Sequence, residues 1–352
     1  MKKVLVAMSG GVDSSVAAYL LKDAGYEVAG LTLELYSHAG DEKFSDAARD
    51  ASEIAESLGI RHYTRDLRDE FKTCVIDAFS QSYRSGETPN PCILCNKHIK
   101  FGRLLDIAKE MGFDYLATGH YAQIQHAEDL NRWLLRKGKD PSKDQSYVLY
   151  TLNQEQLSKS IFPLGGMTKN EVREIATQLG FSNAEGGESQ DICFIPDGDY
   201  QSFLEEYSGI ESRAGDFVDM QGNVIGRHRG IIGYTTGQRR GLGVSAERPL
   251  YVVRKETATN TVILGNEEDL YCSRLIAREM NFIADDAIAN PISVTAKIRY
   301  SQSEVLACIS SVENGKILVE FEKPQRAATP GQSVVFYNGD TVFGGGVIDA
   351  VL

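Results

Sequence analysis

The fold is indicated by the stretch Val4-Leu5-Val6-Ala7-Met8-Ser9-Gly10-Gly11-Val12-Asp13-Ser14-Ser15, which leads into the alanine-rich segment Val16–Leu21. An apolar run, two adjacent glycines and an alanine-rich segment predict a strand, a tight turn and a helix, in that order. Glycine lets the backbone turn sharply and approach a ligand, and the helix start adds backbone N–H groups and a positive dipole end. The hydroxyl groups of Ser9, Ser14 and Ser15 add further donors, so this stretch predicts a site for phosphate oxygens.

This glycine turn differs from the phosphate-binding loop of kinases and GTPases, because it has no lysine in place and its glycines are too close together. The order S-G-G-x-D-S-S over residues 9–15 instead resembles the pyrophosphate loop of ATP pyrophosphatases. Those enzymes cleave ATP between the α and β phosphates and leave AMP on an oxygen of a substrate. An ordinary strand–helix turn is the alternative, since Gly and Ser are common in turns. Asp13 would position Mg²⁺ in a nucleotide site, or cap the following helix in an ordinary turn.

Length and composition are those of an ordinary globular protein. The chain has 352 residues, 42% of them hydrophobic, so we expect two or three domains with normal cores. The formal net charge of −12 argues against a protein with a basic surface that coats nucleic acid. Local basic patches still permit an enzyme that acts on nucleic acid. The chain has no apolar window of about 18 residues and no visible secretory signal. Without such a window we expect no membrane partner. Six irregularly spaced cysteines are not typical of a secreted protein held by disulfides, so we expect a cytoplasmic protein.

The distribution of strands and helices predicts three domains. Strands alternate with helices in the first part of the chain, which predicts a doubly wound parallel sheet of α/β class. Ligands bind beyond the carboxyl ends of such strands, where we expect the glycine turn, Leu33 and Gly119 to meet. Later strands are short and closely spaced, and the pairs Asn314-Gly315 and Asn338-Gly339 predict hairpin turns. We expect an α/β domain over residues 1–200, a small β-rich middle domain over 201–268 and a C-terminal β-barrel over 269–352.

Three cysteines form the second candidate site. Cys92 and Cys95 form a C-x-x-C pair, and Cys193 lies alone. Cys92 ends the segment Gly86–Cys92, whose prolines predict irregular structure. One interpretation is an inert buried thiol, although a Pro-Asn-Pro loop is a poor place to bury one. A structural zinc site with His98 and an iron–sulfur cluster held by the three cysteines are two others. The fourth is thiol chemistry, in which one cysteine carries a persulfide and another attacks it.

Motifs along nearly the whole chain resemble those of the tRNA-specific 2-thiouridylases, the MnmA type of tRNA sulfurtransferase. Besides residues 9–15, the matching segments are Thr88–Pro91 with Cys95–Lys97, Ala117–Tyr121, Lys143–Tyr147, Ser189–Phe194, Gly233–Leu242, Lys297–Tyr300 and Pro330–Gln332. The resemblance implies ATP-dependent 2-thiolation of the wobble uridine of tRNA. In that reaction the uridine 2-oxo group is adenylated and then replaced by sulfur delivered as a cysteine persulfide.

The resemblance also assigns roles to individual residues, with ATP and Mg²⁺ as cofactors. ATP would be bound by residues around the glycine turn, namely Ala7, Met8, Ser9, Gly10, Gly11, Val12, Asp13, Ser14, Leu33 and Gly119. Cys193 would receive sulfur from a relay protein or a cysteine desulfurase, and Cys95 would attack the resulting persulfide. The tRNA and its target base would be contacted by Asn90, Pro91, Cys92, His120, Lys143, Asp144, Gln145, Arg299, Tyr300 and Gln332.

Some alternatives stay open at this point. Members of the family carry aspartate in some cases where this chain has Cys92, so a 4Fe–4S cluster held by Cys92, Cys95 and Cys193 is an alternative to persulfide chemistry alone. A small-molecule adenylating ligase or amidotransferase on the same scaffold would release AMP without tRNA. A nucleotide sensor or RNA-binding module would release neither AMP nor pyrophosphate and would not need the cysteines.

Overall fold

The structure, a computed structural model, describes residues 1–36, 46–181, 183, 192–195, 198–209 and 212–352. Strands β1 to β17 span, in chain order, Lys3–Ala7, Glu27–Glu34, Arg61–Asp66, Tyr115–Ala117, Ala122–Ala127, Arg132–Lys137, Ser160–Ile161, Gly215–Val218, Val224–His228, Tyr251–Glu256, Thr261–Gly265, Tyr271–Phe282, Ile292–Lys297, Val305–Ser311, Ile317–Arg326, Ser333–Asn338 and Thr341–Val351. They form a parallel sheet, a small mixed sheet and a large antiparallel sheet. The fold class predicted from the sequence is confirmed.

Helices lie mainly in the first part of the chain. Helices α1 to α9 span Val12–Asp23, Asp46–Ser57, Arg68–Phe71, Ala78–Arg84, Pro91–Leu94, Leu104–Glu110, Gln154–Ser158, Lys169–Gln178 and Tyr200–Ser208. Two π-helical segments, Lys72–Asp77 and Cys95–Arg103, join α3 to α4 and α5 to α6. Among the residues the structure describes, no helix is long and apolar enough to cross a membrane.

The parallel sheet has the strand order β3-β2-β1-β4-β7 and is covered on both faces. Consecutive side chains of β1 point to opposite faces, so Leu5 packs in one hydrophobic core while Val4 and Val6 pack in the other. All three side chains are fully buried. Strand β1 lies between β2 and β4, where the direction of winding reverses, and this reversal opens a crevice at the carboxyl ends of the strands.

The C-terminal strands close into a barrel because β12 pairs with two partners. Its residues pair antiparallel with β15 on one side and with β17 on the other, which completes the circuit β12-β15-β14-β13-β16-β17. Asn314 and Gly315 have φ of +60° and +69°, the left-handed backbone that a tight hairpin turn requires. The predicted hairpin between β14 and β15 is therefore confirmed.

The proline segment differs from the prediction at its end. Helix α5 already begins at Pro91, which can occupy the first helical position because it has no N–H to donate. Asn90 caps this helix, since its side chain accepts a hydrogen bond from the N–H of Cys92 at 3.1 Å. Cys92 and Cys95 therefore lie on helical backbone, and the prediction of irregular structure through Cys92 is wrong.

Strand pairing and a side-chain hydrogen bond attach the barrel to the α/β part. The hairpin β5–β6, from within the α/β part, joins the barrel sheet through the pairing of Arg136 with Thr341. Tyr147 donates a hydrogen bond to the carbonyl of Ser333 at 2.8 Å. These contacts hold the barrel and the parallel sheet in one arrangement.

Lys255 on β10 is a buried cation between the mixed sheet and α4. Its Nζ atom has no hydrogen-bond partner within the described residues and lies 5.5 Å from the centre of the Tyr83 ring. Burial lowers the pKa of Lys255 from 10.5 to about 8, because the charged form loses its hydration.

We predict that Lys255→Met stabilises the fold in a pH-dependent way. The folded-state pKa lies below the unfolded one, so the cost of burying the charge is fully present below about pH 8 and disappears as the pH rises towards 10.5. The variant should raise the melting temperature at pH 7 and lose this advantage at pH 10.5. The exposed Lys323→Met serves as the control. An equal gain for Lys255→Met at both pH values would contradict the prediction.

Candidate active site

The glycine turn after β1 forms one wall of the crevice. Gly10 has φ of +75°, and a Cβ atom there would lie 2.8 Å from the carbonyl oxygen of Ala47, so glycine is required twice over. Gly11 occupies the N-cap of α1 and supplies no side-chain acceptor to the first helical turn. The N–H groups of this turn, together with the helix dipole, therefore remain suited to an anion.

Serine hydroxyls brace the turn from within. Ser14 Oγ accepts a hydrogen bond from the N–H of Ser9 at 3.2 Å and donates to the carbonyl of Gly11 at 2.9 Å. Ser15 Oγ donates to the same carbonyl at 3.0 Å. Asn183, which the sequence analysis did not identify, donates to the carbonyl of Gly10 at 2.6 Å. The loop is thus held in shape by hydrogen bonds before any ligand arrives.

Gly119, which follows β4, packs directly on this loop. A Cβ atom at Gly119 would lie 2.9 Å from the carbonyl carbon of Asp13 and 3.0 Å from the nitrogen of Ser14. Leu33 is half-buried near the carboxyl end of β2, on the other side of β1. The glycine turn, Leu33 and Gly119 therefore share the edge of the sheet that the sequence predicted.

The carboxylate of Asp13 is bound by two side chains from other elements. Lys169 Nζ, at the start of α8, lies 2.7 Å from both carboxylate oxygens, and Tyr121 donates its hydroxyl to Oδ1 at 2.6 Å. The sequence analysis did not single out Lys169. A signal was present, because a lysine at the first position of a helix faces the positive end of the helix dipole, where acidic residues are preferred.

Three of the cysteines lie close together. Burial raises the pKa of the Cys95 thiol to about 11; the Lys100 ammonium opposes this shift, and negative charge on Cys193 or Cys92 adds to it. Cys95 is 8% exposed, whereas Cys92 and Cys193 are exposed. The expectation that this segment would hide a thiol poorly is therefore wrong for Cys95, because the residue lies on the buried side of a helix. All six cysteines are free thiols.

Lys100 is the cation shared by these thiols, and the sequence analysis did not identify it. The π-helix Cys95–Arg103 forms hydrogen bonds between residues five apart, which stacks Lys100 one turn above Cys95. The same ammonium helps to lower the pKa of His120, although burial is the larger cause. His120 directly follows Gly119, so the thiols are close to the crevice.

Of the three inorganic groups considered above, a zinc ion, an iron–sulfur cluster and Mg²⁺, the donor atoms fit only Mg²⁺. Within the described ranges, no group of three or more His, Cys, Asp or Glu side chains is arranged to hold a metal ion. Cys92, Cys95 and Cys193 thus do not form a ready cluster or zinc site, and we derive no step through one. Asp13, with a one-third exposed carboxylate beside the serine hydroxyls, offers the oxygen donors that Mg²⁺ prefers.

Several residues predicted to contact tRNA instead make internal contacts. His120 is buried, with Nδ1 2.7 Å from Thr118 Oγ1, and its low pKa keeps the ring neutral. Asp144 accepts hydrogen bonds from the N–H groups of Gly138 and Ser146, and Gln145 accepts one from the N–H of Tyr121. These contacts hold the loop of Lys143, Asp144 and Gln145 in place, and its contact with tRNA stays a prediction.

Of the C-terminal residues predicted to contact tRNA, Arg299 and Gln332 form internal hydrogen bonds, whereas Tyr300 is exposed. Arg299 donates to the carbonyls of Thr236 and Ala327, and Gln332 donates to the carbonyl of Thr88 at 2.8 Å. Tyr300 is 41% exposed, and Lys297 Nζ lies 5.4 Å from the centre of its ring. An exposed aromatic ring beside a cation is suited to stacking on an unpaired base. Of the matched segment Ser189–Phe194, residues 189–191 lie outside the described residues.

Three family models match consecutive parts of the chain. They are the tRNA methyl transferase HUP domain over residues 2–197, the tRNA methyl transferase PRC-barrel domain over residues 201–266 and the aminomethyltransferase beta-barrel domain over residues 272–348. The chain is 50% identical to the tRNA-specific 2-thiouridylase MnmA 1 of Caldanaerobacter subterraneus subsp. tengcongensis, a match covering 99% of this chain and 98% of the relative. It is 48% identical to the tRNA-specific 2-thiouridylase MnmA of Acetivibrio thermocellus, with 99% of each chain covered.

We predict that Cys95 reacts slowly with iodoacetamide at pH 7.5 and that Lys100→Met slows it further. Only the thiolate reacts, so a raised pKa reduces the rate about tenfold per unit, and loss of the nearby positive charge raises the pKa again. The measurement is the pH dependence of alkylation of each cysteine, read by mass spectrometry of peptides. Lys97→Met, an exposed lysine on the same helix, is the control. A Lys100→Met protein with faster alkylation at Cys95 would contradict this role.

Proposed function

Because the chain belongs to the family of tRNA-specific 2-thiouridylases, we propose that it catalyses the ATP-dependent 2-thiolation of the wobble uridine of tRNA. The observation that carries this proposal is the grouping of Cys92, Cys95 and Cys193 beside the phosphate-binding edge of the sheet. An adenylating ligase for small molecules would need the loop but not the thiols. A nucleotide sensor would need neither the thiols nor their shared cation Lys100.

The first step activates the base at the glycine turn. The uridine 2-oxo oxygen attacks the α-phosphorus of ATP, a bond forms between them, and the bond to the β-phosphate oxygen breaks to release pyrophosphate. The N–H groups at the start of α1 and the hydroxyl of Ser9 would stabilise negative charge on the departing group. Mg²⁺ bound through Asp13 would supply further neutralisation of phosphate charge. The product is a uridine whose 2-oxygen is part of AMP, which leaves readily.

The second step exchanges sulfur for this oxygen. Cys193, the more exposed thiol, would accept sulfur as a persulfide from a relay protein or a cysteine desulfurase. The Cys95 thiolate would attack the Cys193 sulfur, forming a disulfide and releasing hydrosulfide, which then adds to C2 of the uridine. AMP departs with the former 2-oxygen, and a cellular thiol reduces the disulfide before the next cycle.

The burial of Cys95 gives this sequence of events a physical basis. A thiol with a pKa near 11 is almost fully protonated at neutral pH, so it does not attack the persulfide prematurely. The Lys100 ammonium partly offsets the shift and would stabilise the thiolate once it forms. We propose that the wobble base leaves the anticodon stack and enters the space beside Asn90, Pro91 and Cys92.

The three parts of the chain would share this work. We propose that residues 1–200 carry the chemistry and that residues 201–268 and 269–352 bind tRNA in the cytoplasm. Tyr300 is exposed for stacking on a base, and the half-buried Lys297 beside its ring would add a positive charge to that contact. Arg299 and Gln332 would act by holding the barrel against the middle domain and the proline segment.

We predict that loss of either reactive cysteine separates activation from sulfur transfer. Protein loaded with persulfide by a cysteine desulfurase is mixed with ATP, Mg²⁺ and unmodified tRNA, and pyrophosphate, AMP and 2-thiouridine are measured in a single turnover. Cys95→Ser and Cys193→Ser should keep tRNA-dependent release of pyrophosphate and lose 2-thiouridine by a factor on the order of 10³ or more. Cys308→Ser, on the barrel surface, should match the unchanged protein.

The same assay distinguishes the alternatives when the iron content of anaerobically purified protein is recorded. Product from iron-free protein supports the persulfide route, and product formed only with iron bound would replace it with a cluster. AMP released equally without tRNA would favour the small-molecule ligase. Absence of AMP and pyrophosphate under all conditions would favour a sensor. Thiolation by Cys95→Ser would contradict the role given to Cys95.

A further inference from the structure

Cys92 is the third thiol beside the crevice, and the two steps of the proposed reaction leave it without chemistry of its own. Its side chain is exposed, as is that of Cys193, whereas Cys95 is buried. Cys92 and Cys95 lie three positions apart on helical backbone, which places their Cβ atoms about 5–6 Å apart on one face. Partial loss of hydration raises the pKa of the Cys193 thiol, and negative charge on Cys92 raises it further, so these two sulfurs are also close.

The segment that carries Cys193 is anchored on the same hydrophobic core as this helix. Phe194 is 1% exposed, and its ring packs edge-on against that of Phe71 with 5.7 Å between the ring centres. Ile93 and Cys95 belong to the same buried cluster as these two rings. Because one core holds both segments, the grouping of the three thiols is part of the folded structure.

The disulfide that the proposed reaction leaves behind joins one exposed sulfur to one buried sulfur. A small thiol from solution can reach only the Cys193 side of it, and this attack must expel the Cys95 thiolate. Burial raises the pKa of Cys95 to about 11, which makes its thiolate a poor leaving group. Cys92 makes the same attack from within the protein, where its effective concentration is far higher than that of a dissolved thiol.

Resting on the proposed function, we propose that Cys92 is the resolving cysteine of this reaction, the thiol that opens the Cys95–Cys193 disulfide by exchange. The Cys92 sulfur bonds to the Cys193 sulfur while the bond between Cys193 and Cys95 breaks. Cys95 leaves as a thiolate beside Lys100 and takes up the proton that Cys92 has lost. The new disulfide joins two exposed sulfurs. Two molecules of a small thiol such as glutathione then reduce it to two protein thiols and are themselves oxidised to one disulfide.

The test separates the first turnover from the recovery of the enzyme. Persulfide-loaded protein completes one turnover with ATP, Mg²⁺ and unmodified tRNA, glutathione is added, and samples are quenched in acid, alkylated and mapped by mass spectrometry. The unchanged protein should show a Cys92–Cys193 disulfide that disappears as glutathione acts. Cys92→Ser should form 2-thiouridine normally in the first turnover but recover its free thiols about tenfold more slowly or worse, since only attack from solution remains. Cys308→Ser, which lacks an exposed thiol on the barrel, serves as the control and should recover like the unchanged protein.

Two further variants of the result would overturn the proposal. Equal recovery rates of Cys92→Ser and the unchanged protein would show that the exchange is not used, as would a disulfide from Cys92 to Cys95 in place of Cys193. Loss of 2-thiouridine from Cys92→Ser in the first turnover would also overturn it, because Cys92 would then act before the disulfide forms. If the unchanged protein formed neither 2-thiouridine nor the Cys95–Cys193 disulfide, the proposed function itself would fail.

Discussion

The close approach of two backbone segments at the centre of the parallel sheet is the constraint on which the site depends. The chain leaving β4 at Gly119 touches the backbone of Asp13 and Ser14, and a single added carbon would force them apart. This wall of the crevice is therefore made mainly of backbone, which only glycine permits at Gly10 and Gly119. Backbone groups carry no net charge, so the charge at the turn depends on side chains. Lys169 and Tyr121, from distant elements, both contact the Asp13 carboxylate there.

The attachment of the barrel has a consequence for the thiol site. Thr88 donates its N–H to the carbonyl of Pro330 and accepts a hydrogen bond from Gln332. Glu87 beside it is bound by Arg278 from β12 at 3.0 Å. The segment that leads into Asn90 and helix α5 is thus held from the barrel side. A part of the chain that carries no reactive group in our proposal therefore positions the helix that carries Cys92 and Cys95.

Burial and charge act against each other at the Cys95 thiol. Removal from water makes Cys95 a weak nucleophile at neutral pH, while Lys100 restores some of the stability of the thiolate. Both effects come from one helix that changes from α to π geometry at Cys95. An α-helix would turn Lys100 away from Cys95, so the local widening of the helix decides which charge the thiol experiences.

Features that depend on neighbouring residues could be predicted from the sequence. The strand–glycine–helix order, the Asn-Gly turn at Asn314 and the succession of α/β and all-β parts are local patterns, and they predicted the fold class and the edge of the sheet where the glycine turn lies. Tertiary structure alone decided which polar side chains face the crevice. Lys169 meets Asp13 across 156 positions of sequence, and Arg299 and Gln332 form hydrogen bonds between domains. Sequence patterns report local periodicity, whereas these partners are chosen by packing between distant segments, which no local pattern encodes.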